Sequence, residues 1–101
     1  MDTNIENTEI IEIEIYAREG KEVPKKKKYK IRVDKEKFTI SNETISGLEI
    51  LNLVNKSPES YYLYQHFHKG ETKLIKPEDI VDLTAPKVER FSTMKIENNE
   101  G

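Results

Sequence analysis

The residues from Lys95 to Gly101, Lys95-Ile96-Glu97-Asn98-Asn99-Glu100-Gly101, read as a polar arm ending in a glycine carboxylate. Glycine has no Cβ to obstruct attack at its carbonyl, and its backbone reaches conformations that other residues avoid. Such a carboxylate suits acyl transfer. All the covalent catalysis would then reside in a partner enzyme, and the chain would be a substrate to be attached to something else. Gly101 is therefore the first candidate site.

Other chemistry is sparse. The chain has no cysteine, so disulfides, thiolate catalysis and cysteine metal sites are excluded, and a reducing cytoplasm is the expected setting. His66 and His68 form an H-x-H pair that a strand would present on one face. No further ligands accompany them, so a solvated strand face is expected in place of a metal site. Lys25 to Lys28 form a basic run, read as a solvated loop. Phosphate loops, nucleophile–histidine arrangements and metalloprotease helices are absent from the sequence, which points to no catalytic residue, no cofactor and no enzyme.

Composition narrows the class. The 101 residues suit one domain, with a net charge of −2 that argues against nucleic acid. Charged residues make up 36% and apolar ones 35%, against about 25% and 45–50% in ordinary domains. The core must be small. No apolar run approaches the roughly 18 residues of a membrane span, and the acidic, polar start is unlike a signal peptide.

The elements that would position these residues follow from periodicity. Residues 1–8 read as a disordered tail. In residues 9–28, Glu9 to Ala17 alternates, placing Ile11, Ile13 and Ile15 on one face of an expected extra strand, followed by a basic connector from Arg18 to Lys28. Tyr29 to Val33 and Lys37 to Ser41 form an expected hairpin around Asp34-Lys35-Glu36. A helix is predicted after capping residues in Asn42 to Ser46, with Leu48, Ile50, Leu51, Leu53 and Val54 on a wide apolar face suited to a concave sheet. Ser60 to His68 reads as a strand and Lys73 to Ile75 as a short one. Pro77 to Leu83 is predicted as a single helical turn with Ile80 and Leu83 plugging the core. Val88 to Ile96 is a last strand whose broken period suggests a bulge. The expected fold class is α+β: a β-grasp, with a mixed sheet clasping one helix, its first and last strands parallel in the centre, and an extra N-terminal strand.

Three stretches within this string carry a family resemblance. They are Thr44-Ile45-Ser46-Gly47-Leu48-Glu49-Ile50-Leu51, then Tyr62-Leu63-Tyr64-Gln65, then Asp79-Ile80-Val81-Asp82-Leu83-Thr84 leading into Glu89-Arg90-Phe91. With their order and spacing, Tyr29 to Met94 resembles the bacterial multi-ubiquitin family of ubiquitin-like domains. The resemblance implies a ubiquitin-like β-grasp domain over residues 29–94 and a flexible tail over 95–101. It implies a bacterial protein modifier, conjugated through Gly101 to target proteins by ubiquitin-activating-like and conjugating-like enzymes, in an operon with a JAB-type protease and a role in defence against phage. Two departures stand out: the chain holds one such domain where family members often hold several, and Glu100 stands where ubiquitin has the first glycine of its terminal pair.

Two surfaces could serve partners. Tyr62 and Tyr64 point the same way on their strand, and tyrosine is favoured at interfaces. The strand carrying Ile11, Ile13 and Ile15 would either add to its own sheet or pair with a neighbouring copy's edge. The second option gives an alternative function, a non-conjugated β-grasp interaction module that self-assembles into a homo-oligomer.

Overall fold

Alternation produces the first hairpin. The computed structural model describes residues 9–97. In it β2 (Lys28–Val33) buries Tyr29, Ile31 and Val33 and turns Lys30 and Arg32 to the other face. It pairs antiparallel with β3 (Glu36–Ile40) across a two-residue turn in which Asp34 takes a positive φ of 56°. Aspartate tolerates that region better than most side chains. Its carboxylate fastens the turn: Oδ1 accepts from the Thr93 backbone N–H, and Oδ2 from the Thr93 hydroxyl and the Lys56 ammonium. Burial works against ionisation of Asp34, but the Thr93 and Lys56 hydrogen bonds outweigh it and hold the carboxyl below its ordinary range.

The helix α2 (Gly47–Leu53) starts on a capping box. The Ser46 hydroxyl accepts from the Glu49 N–H, and the Glu49 carboxylate accepts from the Ser46 N–H. The helix buries Ile50 and Leu51 against the sheet; Leu48 is exposed, so the apolar face is narrower than predicted. Asn55, with a φ of 57°, and Pro58 follow its end. Next come β5 (Tyr61–Phe67) and β6 (Thr72–Ile75), an antiparallel pair. Last is β8 (Val88–Lys95), antiparallel to β5 and parallel to β2 through Val33 and Phe91. The expected bulge is present: His66 pairs with Arg90 but Phe67 pairs with Val88, leaving Glu89 as the extra residue. That is why Val88 and Phe91 are both buried although three apart. The mixed sheet runs β1-β2-β8-β5-β6 with β3 also on β2, the α+β β-grasp arrangement.

Two segments differ from expectation. The isoleucine segment is a strand only over β1 (Ile10–Glu12), which pairs parallel with Lys28 to Lys30 of β2. From Ile13 it is a helix, α1 (Ile13–Glu19), closed by Gly20 in a left-handed conformation. The cause is steric. Beyond Lys30 the same edge of β2 is taken by β8, so the chain must leave the sheet plane. As a helix it buries Ile13, Glu14 and Ala17 and turns Ile15 outward, 46% exposed. The sheet therefore carries a second helix in addition to the one it clasps.

The Pro77 to Leu83 segment is also not a helical turn. After a bend at Pro77 and Glu78 it forms β7 (Ile80–Asp82), antiparallel to β4 (Thr44–Ser46). The backbone of Thr44 to Ser46 offers a free ladder, and Asp79 closes the bend by accepting from the Lys76 N–H. Strand alternation then buries Val81 and leaves Ile80 67% exposed, whereas Leu83 is fully buried as expected. The tail begins later than expected, because Lys95 belongs to β8 and the Ile96 N–H donates to the Ser60 carbonyl. Residues 1–8 and 98–101 lie outside the described residues.

Gly47 shows how closely α2 meets the chain after β6. A Cβ there would overlap the Lys76 backbone carbonyl oxygen, whereas one at Gly20 meets open space, only in a left-handed conformation. Gly47→Ala gains about 0.5–1 kcal/mol of helix propensity and loses about 1–3 kcal/mol to overpacking, so it destabilises. Gly20→Ala costs about 1–2 kcal/mol from backbone strain alone. Urea unfolding of both variants checks this. The Gly47→Ala loss is expected to vanish when Lys76 and Pro77 are deleted and the loop rejoined, and the Gly20→Ala loss to remain.

Candidate functional site

Alternation along the central strands assigns a second face to the sheet, opposite α2. Arg32 of β2, Tyr62, Tyr64 and His66 of β5, Leu74 of β6, and Arg90, Ser92 and Met94 of β8 share it by register. This face is divided between a covered charged half and an open apolar half.

The charged half lies under α1, which packs on β8 and β2. Glu14 projects from α1 with its side chain 9% exposed. It accepts from Arg32 Nε at 2.9 Å and Nη2 at 2.7 Å, and from Arg18 Nη2 at 2.9 Å. The paired bonds from Arg32 are the strong, orientation-specific kind. They hold the Glu14 carboxyl below its ordinary value against the opposing effect of burial, helped by the charges of Arg32, Arg18 and Arg90. Arg32 is shifted upward in turn by its hydrogen bond to Glu14. Nearby, Glu89 on the bulge bonds His68 Nδ1 at 3.0 Å and lies 3.7 Å from Arg18 Nε. His66 Nε2 instead meets the Ser92 hydroxyl at 2.7 Å. The two imidazoles therefore have separate partners. Burial, reinforced by the Arg90 charge, lowers the His66 pKa and so favours the neutral ring.

The apolar half is uncovered. Tyr62 pairs with Met94, and Tyr64 pairs with Leu74 on one side and Ser92 on the other. The tyrosine rings are 6.3 Å apart and tilted by 55°. Tyr62 and Leu74 are exposed, and Met94 is 57% exposed. Three exposed apolar side chains around the half-buried Tyr64 suit the docking of a protein surface.

The structure separates the candidate residues. Tyr62 and Tyr64 come together on the open patch. Ile11 and Ile13 are buried in this chain's own core, and Ile15 lies on the solvent side of α1. Gly101 falls outside the described residues. Sequence reasoning missed Leu74 and Met94, which join the tyrosines only through strand register. It also missed Glu14, whose place in the alternation read as a solvated surface carboxylate. The unusual presence of two arginines, Arg32 and Arg90, on sheet strands was the available signal. Among the described residues there is no group of three or more side chains able to hold a metal ion, and no helix long and apolar enough to cross a membrane.

Comparison with known proteins adds one finding. The family model described as Multiubiquitin matches residues 29–96, from the second residue of β2 to just past β8. Neither the curated proteins nor the solved structures yield a match.

The Glu14 clamp has a definite pH signature. A carboxyl whose folded pKa lies below its unfolded 4.5 contributes stability that is complete above that value and is lost as pH falls through the folded pKa. Glu14→Gln is expected to cost about 1–3 kcal/mol at pH 7, because Arg32 loses its charged acceptor. Thermal unfolding from pH 7 to pH 2 should show the wild-type advantage shrinking below pH 4.5. An advantage unchanged across that range would show that Glu14 acts by packing alone.

Proposed function

The chain belongs to the multiubiquitin family, and from that premise we propose that it is a bacterial ubiquitin-like protein modifier, with Gly101 as its acyl donor. The observation that carries the reading is the match to the entire β2–β8 unit, which closes around α2 while leaving the Tyr62–Tyr64–Leu74–Met94 patch open. The chain's role is then not enzymatic. It offers a carboxylate and a docking surface, and partner enzymes supply the catalysis.

The chemistry balances in four transfers. The Gly101 carboxylate attacks the α-phosphorus of ATP in an activating enzyme, forming an acyl adenylate and releasing pyrophosphate. A cysteine thiolate of that enzyme displaces AMP to form a thioester, which passes to a conjugating enzyme. An amine of the target attacks the thioester carbonyl, losing a proton and releasing the thiolate, to leave an amide. A JAB-type protease would reverse the last bond by hydrolysis. Placement in a phage-defence operon and in the cytoplasm belongs to this same reading.

The reading as a strand-exchanging assembly has less support. Ile11 and Ile13 are almost fully buried within the chain. Withdrawing them costs about 1.5–3 kcal/mol each before any gain from a neighbour.

Intact-mass analysis after incubation with ATP and the activating and conjugating enzymes of the same operon tests the proposal. Covalent adducts should appear with the loss of one water per linkage and disappear when Gly101 is deleted. Met94→Ser and Tyr62→Ser should slow thioester formation roughly tenfold, the effect of losing about 1.4 kcal/mol of docking, without lowering the unfolding temperature. Adducts that persist without Gly101 would refute it.

A further inference from the structure

The face of the sheet that carries α2 holds a second feature, distinct from the aromatic patch. Gln65 lies in β5, paired with Lys73 on one side and Phe91 on the other. Alternation turns its side chain inward, where it is only 6% exposed. Its carboxamide makes no hydrogen bond with any described residue. An amide so little exposed is costly to leave without hydrogen-bond partners, and native structures usually supply them.

The side chain lines a cleft of about 570 Å³ between the main sheet and the small β4–β7 sheet. Phe67 and the exposed Ile80 supply apolar walls. Lys73 and Lys76 face the cleft from the β6 side, and Asp79 and Asp82 from the β7 side. The two charge types offset each other, so the cleft is suited neither to a phosphate nor to a polyamine. Both carboxylates are also engaged, Asp79 by the Lys76 N–H and Asp82 by the Thr84 N–H and hydroxyl. Two strands flank the space. β6 ends the main sheet, and β7 pairs only with β4 among the described residues.

An apolar wall beside a carboxamide that has no described partner is complementary to peptide groups. An amide pairs reciprocally with another amide, N–H to C=O in both directions. A strand added to the outer edge of β6 would lie two strand spacings, about 9.5 Å, from β5, so a guest that reaches Gln65 lies over the sheet face within the cleft. We propose that this cleft binds a short, extended, uncharged peptide segment of a partner protein, held by amide pairing of its main chain with Gln65 and by apolar contact with Phe67 and Ile80. The site is independent of acyl transfer.

Titration of the ¹⁵N-labelled full chain with the blocked peptide acetyl-Ser-Val-Gln-Val-Thr-Ser-amide tests it by NMR. Saturable shifts are expected at the Gln65 side-chain NH₂ and at the backbone amides of Thr72–Ile75 and residues 79–82, with half-saturation on the order of 1 mM, fitting few contacts. The amides of Tyr62 and Tyr64 should stay in place. Gln65→Leu should weaken binding at least tenfold while unfolding at the same or a higher temperature, since it removes an unpaired polar group. Ile80→Ser, an exposed position that does not threaten the fold, should weaken binding several-fold. Deletion of Gly101 should leave binding unchanged. The proposal is overturned if Gln65 shows no saturable shift, if the shifts fall on the tyrosine face, or if Gln65→Leu lowers the unfolding temperature, which would make the amide a structural group.

Discussion

One edge of β2 accommodates two strands end to end, and most of the architecture depends on that division. β1 pairs with Lys28 to Lys30, and β8 takes over at Val33 through Phe91. The Asp34 N–H then donates to the Phe91 carbonyl, continuing the ladder into the turn. Phe91 is fully buried, worth about 1.5–3 kcal/mol for its side chain, and joins β2, β5 and the core beneath α2. Because β8 occupies this position, the chain after Glu12 cannot remain extended. It lifts away as α1, and the first turn of that helix brings Glu14 to Arg32. The second helix and the charged clamp both follow from a shortage of strand edge.

The clamp limits the outer face in turn. Arg32 and Arg90 would otherwise bring like charges onto adjacent strands, which is unfavourable. Glu14 offsets them, and α1 removes that half of the face from solvent. At the border, burial and the Arg90 charge favour the neutral form of His66, which meets Ser92. What stays open is the uncharged half around Tyr62, Tyr64, Leu74 and Met94. An uncharged, partly desolvated surface is inexpensive to dehydrate on contact, the property a docking face needs.

Much of this was legible in the sequence where local and tertiary preferences agree. Tyr29, Ile31 and Val33 alternate and are buried; the helix starts from a cap within the stretch Asn42 to Ser46, at Ser46; the irregular phase of Val88 to Ile96 corresponds to a real bulge. The family resemblance over Tyr29 to Met94 corresponds to the matched residues 29–96. Illegibility arose where a distant edge decides. Isoleucines at positions 11, 13 and 15 satisfy a period of two, but Ile13 and Ala17 also satisfy a helical spacing of four, and only β8 breaks the tie. Pro77 to Asp82 has helix-initiating residues, yet β4 offers it a ladder from more than thirty residues away. Gln65 reads as one polar position in a mostly apolar strand. Its burial depends on the β7 segment folding over it, which no local pattern announces.

The position at which the chain leaves the sheet ties the patch to the proposed chemistry. Met94 lies on the open face, Lys95 completes β8, and the Ile96 N–H is bonded to the Ser60 carbonyl at 2.8 Å. Ser60 immediately precedes Tyr61 and Tyr62, so the root of the tail is fixed beside the tyrosines. Residues 98–101 can extend the chain by at most about 14 Å. Under the modifier reading, an enzyme that grips Tyr62 and Met94 has already confined Gly101 to a small volume around its active site. Only a few backbone torsions are left to be ordered, at about 1–2 kcal/mol per residue. Under that reading docking and delivery of the carboxylate are coupled through one strand, whereas the Gln65 cleft lies on the opposite face of the sheet.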